Sequence, residues 1–201
     1  SDKTILGIFP GSRRSEVLRM LPLFGETLRE LSDKFPQLEV VITTIPHLST
    51  LVSSMTINWT VNVTLVNSFI ERKGAQRACD VGLAASGTIT TELAAAKVPV
   101  VVGYKVAPIT ALIARNLLKV SYVSLLNIAT GRRILPEFLQ QDCNPKKLSE
   151  AIGELLADRR TREKQICEQT LALKELSSGA EGGYSKAARI VKDALLKKNN
   201  I

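Results

Sequence analysis

The residues best placed to do chemistry lie where an apolar run ends and a helical pattern begins. In Phe9-Pro10-Gly11-Ser12-Arg13-Arg14-Ser15-Glu16, Gly11 permits close backbone approach. The first N–H groups of the following helix can face an anion, and Arg13 or Arg14 can add charge-assisted bonds. Ser12 reads as the N-cap. It has no Glu or Gln three residues on, so the reciprocal capping box is absent and backbone donors are expected to remain available. The plain alternative is an ordinary strand-to-helix turn with two solvated arginines. No Gly-x-Gly-x-x-Gly occurs here, so the usual dinucleotide fingerprint fails.

A second segment, Ala85-Ser86-Gly87-Thr88-Ile89-Thr90-Thr91-Glu92, stands at another strand end. Gly82 and Gly87 have the spacing of a P-loop's two glycines, but no Lys precedes Thr88, which disfavours Walker-type ATP hydrolysis. Ser86, Gly87 and Thr88 can still donate to phosphate oxygens. Glu92, one turn into the next helix, can accept from both hydroxyls of a ribose. Taken alone it is equally a Glu favoured by the helix dipole. Two anion loops at neighbouring strand ends, one with arginines and one with a carboxylate, suggest a nucleotide diphosphate held by protein groups. No Asp-x-Asp pair is present for a divalent ion, and no metal site or cofactor is expected. That combination fits a metal-independent nucleotide-sugar transferase better than a kinase or polymerase.

A third segment runs from Tyr122 through Ser124, Asn127, Arg132 and Arg133 to Glu137 and Gln140. Loops presenting Asn, Arg, Glu and Gln beside a sheet edge are plausible sugar or base contacts. A surface loop leading into an amphipathic helix is the bland reading.

These segments need a scaffold, and the apolar pattern supplies one. Thr4 to Phe9, Leu38 to Thr43, Val61 to Val66, Val81 to Ala85 and Val98 to Tyr104 read as strands covered on both faces, hence as a parallel sheet. Between them, Glu16 to Phe35 has helical spacing, with a kink or break expected at Pro22. Leu48 to Met55, Phe69 to Ala78, Thr88 to Ala96 and Ile109 to Leu118 read as shorter helices. The alternation points to right-handed crossovers and a doubly wound α/β sheet with helices on both faces. Val120 to Leu135 looks irregular, and Pro136 is expected to open a helix. Pro145 to Leu156, Asp158 to Leu176 and Gly183 to Lys198 read as amphipathic helices, with a break at Ser177-Ser178-Gly179.

Composition narrows the partners. The 201 residues are 45% hydrophobic and carry a net charge of +8, which suits one folded domain with a polyanionic ligand. Only 4% are aromatic, which argues against a base-stacking nucleic-acid platform. The three cysteines are far apart, and the single histidine, His47, has no second His nearby. Neither a disulfide scaffold, nor a zinc site, nor a Ser-His-Asp triad is suggested, and a reducing compartment is expected. No apolar run reaches the roughly 18 to 20 residues that span a bilayer, so any membrane contact is expected to be peripheral. The chain starts at Ser1 and enters a strand pattern at once, as an excised part of a longer protein would.

In order and spacing the segments resemble the C-terminal half of the lipid-A-disaccharide synthase family. The resemblance rests on Pro-Gly-Ser-Arg at 10 to 13 with Glu16, Ala-Ser-Gly-Thr at 85 to 88 with Glu92, and Pro-Val-Val-Val-Gly-Tyr-Lys at 99 to 105. It continues through Tyr-Val-Ser-Leu at 122 to 125 with Asn127, and Pro-Glu-Phe-Leu-Gln at 136 to 140. Leu126 stands where the family usually has Pro, and Thr130 where Ala is commoner.

The resemblance implies a GT-B architecture, with residues 1–201 as the Rossmann-like donor-binding domain and 181–201 a terminal helix that packs on an N-terminal domain. It implies an inverting hexosyltransferase that moves 2,3-diacylglucosamine from its UDP derivative to 2,3-diacylglucosamine 1-phosphate. The general base is expected in the N-terminal half, so this chain alone is expected to be inactive. By the same resemblance Gly11, Ser12, Arg13, Ser86, Gly87, Thr88, Glu92, Asn127, Glu137 and Gln140 surround the UDP-sugar. Arg13 would neutralise the pyrophosphate, Ser86 and Thr88 bind its oxygens, and Glu92 hold the ribose. Implied partners are the acylated donor, a lipid acceptor, the cytoplasmic face of a bacterial inner membrane, the chain's own N-terminal domain and a second copy in a homodimer. Two other readings stay open. One is another GT-B UDP-sugar enzyme, a peptidoglycan transferase or an epimerase. The other is a basic nucleic-acid module, against which the scattered charge and few aromatics weigh.

Overall fold

The protein is described here by a computed structural model covering residues 4–106 and 122–178. Six strands, β1 (Thr4–Phe9), β2 (Leu38–Thr43), β3 (Val63–Val66), β4 (Val81–Ala84), β5 (Val100–Tyr104) and β6 (Glu137–Leu139), form one sheet in the order β3-β2-β1-β4-β5-β6. Every described pairing is parallel, with Leu6 opposite Val40 on one side and Val81 on the other. Side chains alternate across the pleat. Leu6, Ile8, Leu83 and Val101 enter one apolar cluster, while Phe9, Ala84, Val100 and Val102 enter the other. Both faces are therefore covered, as the unbroken apolar runs require.

The helices are α1 (Arg14–Ser32), α2 (Ser49–Thr56), α3 (Phe69–Ala78), α4 (Ile89–Ala95), α5 (Leu125–Thr130), α6 (Pro145–Ala157) and α7 (Arg159–Ser178). Helices α1, α2 and α6 contribute to the first cluster, and α4, α5 and α7 to the second. In α1 the buried positions Val17, Met20, Leu21, Phe24, Leu28 and Leu31 recur at helical spacing. Each stabilises the fold by about 1.5–3 kcal/mol.

The structure alters the expected elements in several places. Helix α1 runs through Pro22 without ending. Pro22 lies on the exposed side, between the buried Leu21 and Leu23, so packing on either side outweighs one missing hydrogen bond. The stretch expected to be irregular contains α5, whose N-cap Ser124 accepts from the Asn127 N–H and whose end is closed by Gly131 at φ 63°. Pro136 opens a strand, not a helix. Its carbonyl accepts from the Val102 N–H at 2.8 Å, and its lack of a donor is harmless at the entry to an edge strand. Helix α7 continues through Ser178, where a break was expected. Strands β3 and β5 each begin two residues later than their apolar runs, at Val63 and Val100. The helices expected at 109–118 and 183–198, and the proposed docking helix 181–201, lie outside the described residues.

Candidate functional site

Strands β1 and β4 are neighbours, but their following helices pack on opposite faces: α1 through Val17, Met20 and Leu21, α4 through Leu93 and Ala94. That divergence is the topological switch point, and it opens a crevice beyond the carboxyl ends of the two strands. The crevice encloses about 430 Å³, a size suited to a small organic ligand. Seven residues singled out from sequence line it together: Gly11, Ser12, Arg13, Ser86, Gly87, Thr88 and Glu92.

The first turn is built differently from the sequence expectation. Arg13, not Ser12, is the N-cap of α1, and Glu16 therefore sits at the third helical position. Its buried carboxylate accepts from the backbone N–H of Ser12 and of Arg13, each at 3.3 Å, which is half of a capping box. An arginine cannot complete the other half, because its side chain has no acceptor. Two backbone donors of this turn, Ser12 N–H and Arg13 N–H, are thus occupied by the protein's own anion. Arg13 Nη1 also donates to Glu16 Oε1 at 2.9 Å. The guanidinium is 77% exposed, and that bond uses one of its five donors.

Gly11 is required twice over. Its φ is +107°, and a Cβ there would lie 2.6 Å from Glu16 Oε2 and 2.9 Å from Glu16 Cβ.

The second loop presents Gly87 and Thr88 exposed. The Ser86 hydroxyl is engaged internally, donating to the Val123 carbonyl at 2.8 Å. This bond joins the second segment to the third. Glu137 accepts from the Val123 N–H at 2.8 Å, the Ser124 N–H at 2.9 Å and the Asn127 amide at 2.8 Å. Asn127 is fully buried. Its Oδ1 accepts from Ile134 and Leu135 N–H, and its Nδ2 also donates to the Leu135 carbonyl. Asn127, Glu137 and Gln140 do not line the crevice. Gln140 lies just beyond β6 at φ +50°, its N–H bonded to the Tyr104 carbonyl. Through Val123, whose carbonyl accepts from Ser86 and whose N–H donates to Glu137, the third segment is tied to the second.

Four further polar residues reach the crevice that sequence reasoning missed: Thr43 at the end of β2 and Thr44 just after it, and Arg72 and Gln76 on α3. Gln76 Nε2 donates to Glu92 Oε2 at 3.1 Å. Arg72 stands 5.2 Å over the Phe69 ring. The Thr44 residue is 3% exposed, and its hydroxyl has no partner. The available signal was positional: Arg72 and Gln76 are one helical turn apart on an element that begins at the same sheet edge.

Neither buried thiol serves this site. Burial pushes Cys79 up to about 12 and Cys143 up to about 11, both remain protonated at neutral pH, and neither lines the crevice. Among the described residues no three His, Cys, Asp or Glu side chains gather as metal ligands, and no helix is long and apolar enough to cross a membrane.

Fold and crevice together define a Rossmann-like domain of the kind found in GT-B glycosyltransferases, with a crevice at the switch point. A model of the family described as lipid-A-disaccharide synthetase matches residues 1–191, and the chain belongs to that family. It is 38% identical over 197 residues to the lipid-A-disaccharide synthase of Rhodospirillum centenum, covering 98% of this chain and 49% of that protein. The enzyme of Paramagnetospirillum magneticum is 40% identical over 194 residues, covering 96% and 50% respectively. The chain thus spans about half the length of these curated relatives. In fold it is similar to the UDP-GlcNAc 2-epimerase from Neisseria meningitidis bound to UDP-GlcNAc. The TM-score is 0.56 and the identity 17%, covering 98% of this chain and 45% of that one. The likeness to the epimerase is therefore one of fold alone.

Proposed function

We propose that the crevice binds the UDP moiety of a nucleotide sugar, and that the chain is the donor-binding half of a lipid-A-disaccharide synthase. The observation that carries this reading is the meeting of Arg13 and Glu92 in one crevice at the switch point. A guanidinium suits a pyrophosphate, and a carboxylate suits two vicinal hydroxyls. Family membership favours the transferase over the epimerase alternative.

In the proposed reaction the acceptor hydroxyl of 2,3-diacylglucosamine 1-phosphate attacks the anomeric carbon of UDP-2,3-diacylglucosamine. The new C–O bond forms as the bond to the β-phosphate oxygen breaks, with inversion. UDP leaves with the electron pair, and the hydroxyl proton passes to a base in the N-terminal half. Arg13 and Arg72, which both line the crevice, stabilise the charge that grows on UDP. The acyl chains of both substrates place the reaction at the cytoplasmic face of the inner membrane, with peripheral association through the assembled enzyme. A homodimer and a packed N-terminal domain complete the proposal.

Calorimetric titration tests the ligand. UDP binding that survives a rise in salt, with a random oligonucleotide lost over the same range, is the expected result. Oligonucleotide binding tighter than UDP at both salt concentrations overturns it. Disaccharide synthesis by this chain alone would overturn the half-site assignment.

A further inference from the structure

Three buried glutamines in this domain are used in two ways. Gln165 and Gln169 on α7 donate to the backbone carbonyls of Val100 and Val98, at 2.8 and 3.0 Å, and so fasten the helix to the sheet. Gln76, 6% exposed, sends its Nε2 to a carboxylate that lines the crevice, Glu92 Oε2 at 3.1 Å. The partners lie on separate helices, α3 and α4, 16 residues apart in sequence. A side chain present only to fill space would be apolar there, because a buried amide must find hydrogen-bond partners.

We propose that Gln76 is a positioning residue. It sets the Glu92 carboxylate to receive the two hydroxyls of a ribose, and so sets discrimination between ribonucleotide and 2′-deoxyribonucleotide. The proposal rests on the reading of Glu92 as the ribose acceptor. A carboxylate offers about four acceptor positions. Gln76 occupies one on Oε2, which restrains the rotation of a group that is otherwise exposed and leaves the positions on Oε1 for other donors. The amide is neutral, so it brings no opposing charge to the carboxylate. A Lys or Arg at position 76 would orient the carboxylate equally well but weaken it as an acceptor for hydroxyls. Arg72, one turn earlier on the same face of α3, also lines the crevice, so both side chains follow the placement of one helix.

The test uses this chain, with UDP and 2′-deoxy-UDP titrated calorimetrically into wild type, Gln76→Met, Gln76→Glu and Glu92→Gln, each checked for cooperative unfolding. Wild type should prefer UDP by about tenfold, the value of one hydrogen bond to a charged group. Glu92→Gln should abolish the preference. Gln76→Met should shrink it to roughly twofold by weakening UDP while leaving 2′-deoxy-UDP unchanged. Gln76→Glu, which keeps the shape and repels Glu92, should do the same, so the proposal remains testable if the Met variant does not fold. An unchanged preference in Glu92→Gln overturns the ribose reading and this proposal together. A preference lost in Glu92→Gln but kept in both folded Gln76 variants overturns the proposal alone, as does an equal loss for both ligands.

Discussion

Arg13, the N-cap of α1, and Asn127, within α5, are both polar residues that the sequence singles out, and burial separates them completely. The Arg13 side chain is 77% exposed at the crevice. Asn127 is 0% exposed, and both ends of its amide are bonded to groups of its own loop and to Glu137. The β1–α1 turn leaves a charge where a ligand can reach it. The Ser124–Glu137 loop uses polar side chains to close itself, and through Val123 it holds Ser86 in place. Polar residues near a site are therefore of two kinds, and what distinguishes them is whether the protein has already satisfied their hydrogen bonds.

The strongest way to break this comparison is at Asn127. Asn127→Ala leaves the buried Ile134 N–H, Leu135 N–H and Leu135 carbonyl without the partner they have now. Stability should fall by about 3–5 kcal/mol, read from denaturant unfolding. UDP affinity of the folded fraction should change by less than about threefold. A stable variant that no longer binds UDP would show that Asn127 belongs to the site instead.

Arg13→Ala should behave in the opposite way. Loss of a charge-assisted contact should lower UDP affinity about ten- to a hundredfold, roughly 1.5–3 kcal/mol, while stability shifts by no more than about 0.5 kcal/mol. Arg13→Lys should recover part of the affinity, because an ammonium restores charge without the paired fork geometry. Equal affinities in all three proteins would remove Arg13 from the site.

Glu16 belongs to both kinds, since it caps α1 and also holds Arg13. Glu16→Ala should cost about 1 kcal/mol of stability through loss of the cap. No change in thermal unfolding would mean that the two 3.3 Å bonds contribute nothing to the turn.

Thr44 gives the smallest effect and the reverse sign. Its hydroxyl is buried without a partner, so Thr44→Val should raise stability by up to about 1 kcal/mol. Destabilisation in calorimetry would show that the hydroxyl is satisfied in solution.

Much of the domain was legible in the sequence, because strand and helix periods are local properties of the chain. The five longer strands and the switch-point loops followed from continuous apolar runs ending in Gly11 and in Ser86-Gly87. The charges that can meet a nucleotide, Arg13 and Glu92, were readable because each lies in a strand-to-helix turn or in the first turn of the helix that follows it. Tertiary structure decided the rest. Pro136 fits the first position of a helix or of an edge strand equally well by local rules, and only the neighbouring Val102 N–H makes it a strand. Asn127 and Glu137 have the same composition signal as ligand-binding residues, and only the tertiary structure shows the bonds they make to one another and to Val123 and Ser124. Gln76 reaches Glu92 because two helices converge at the sheet edge. Such contacts depend on the approach of distant elements, which local periodicity does not encode.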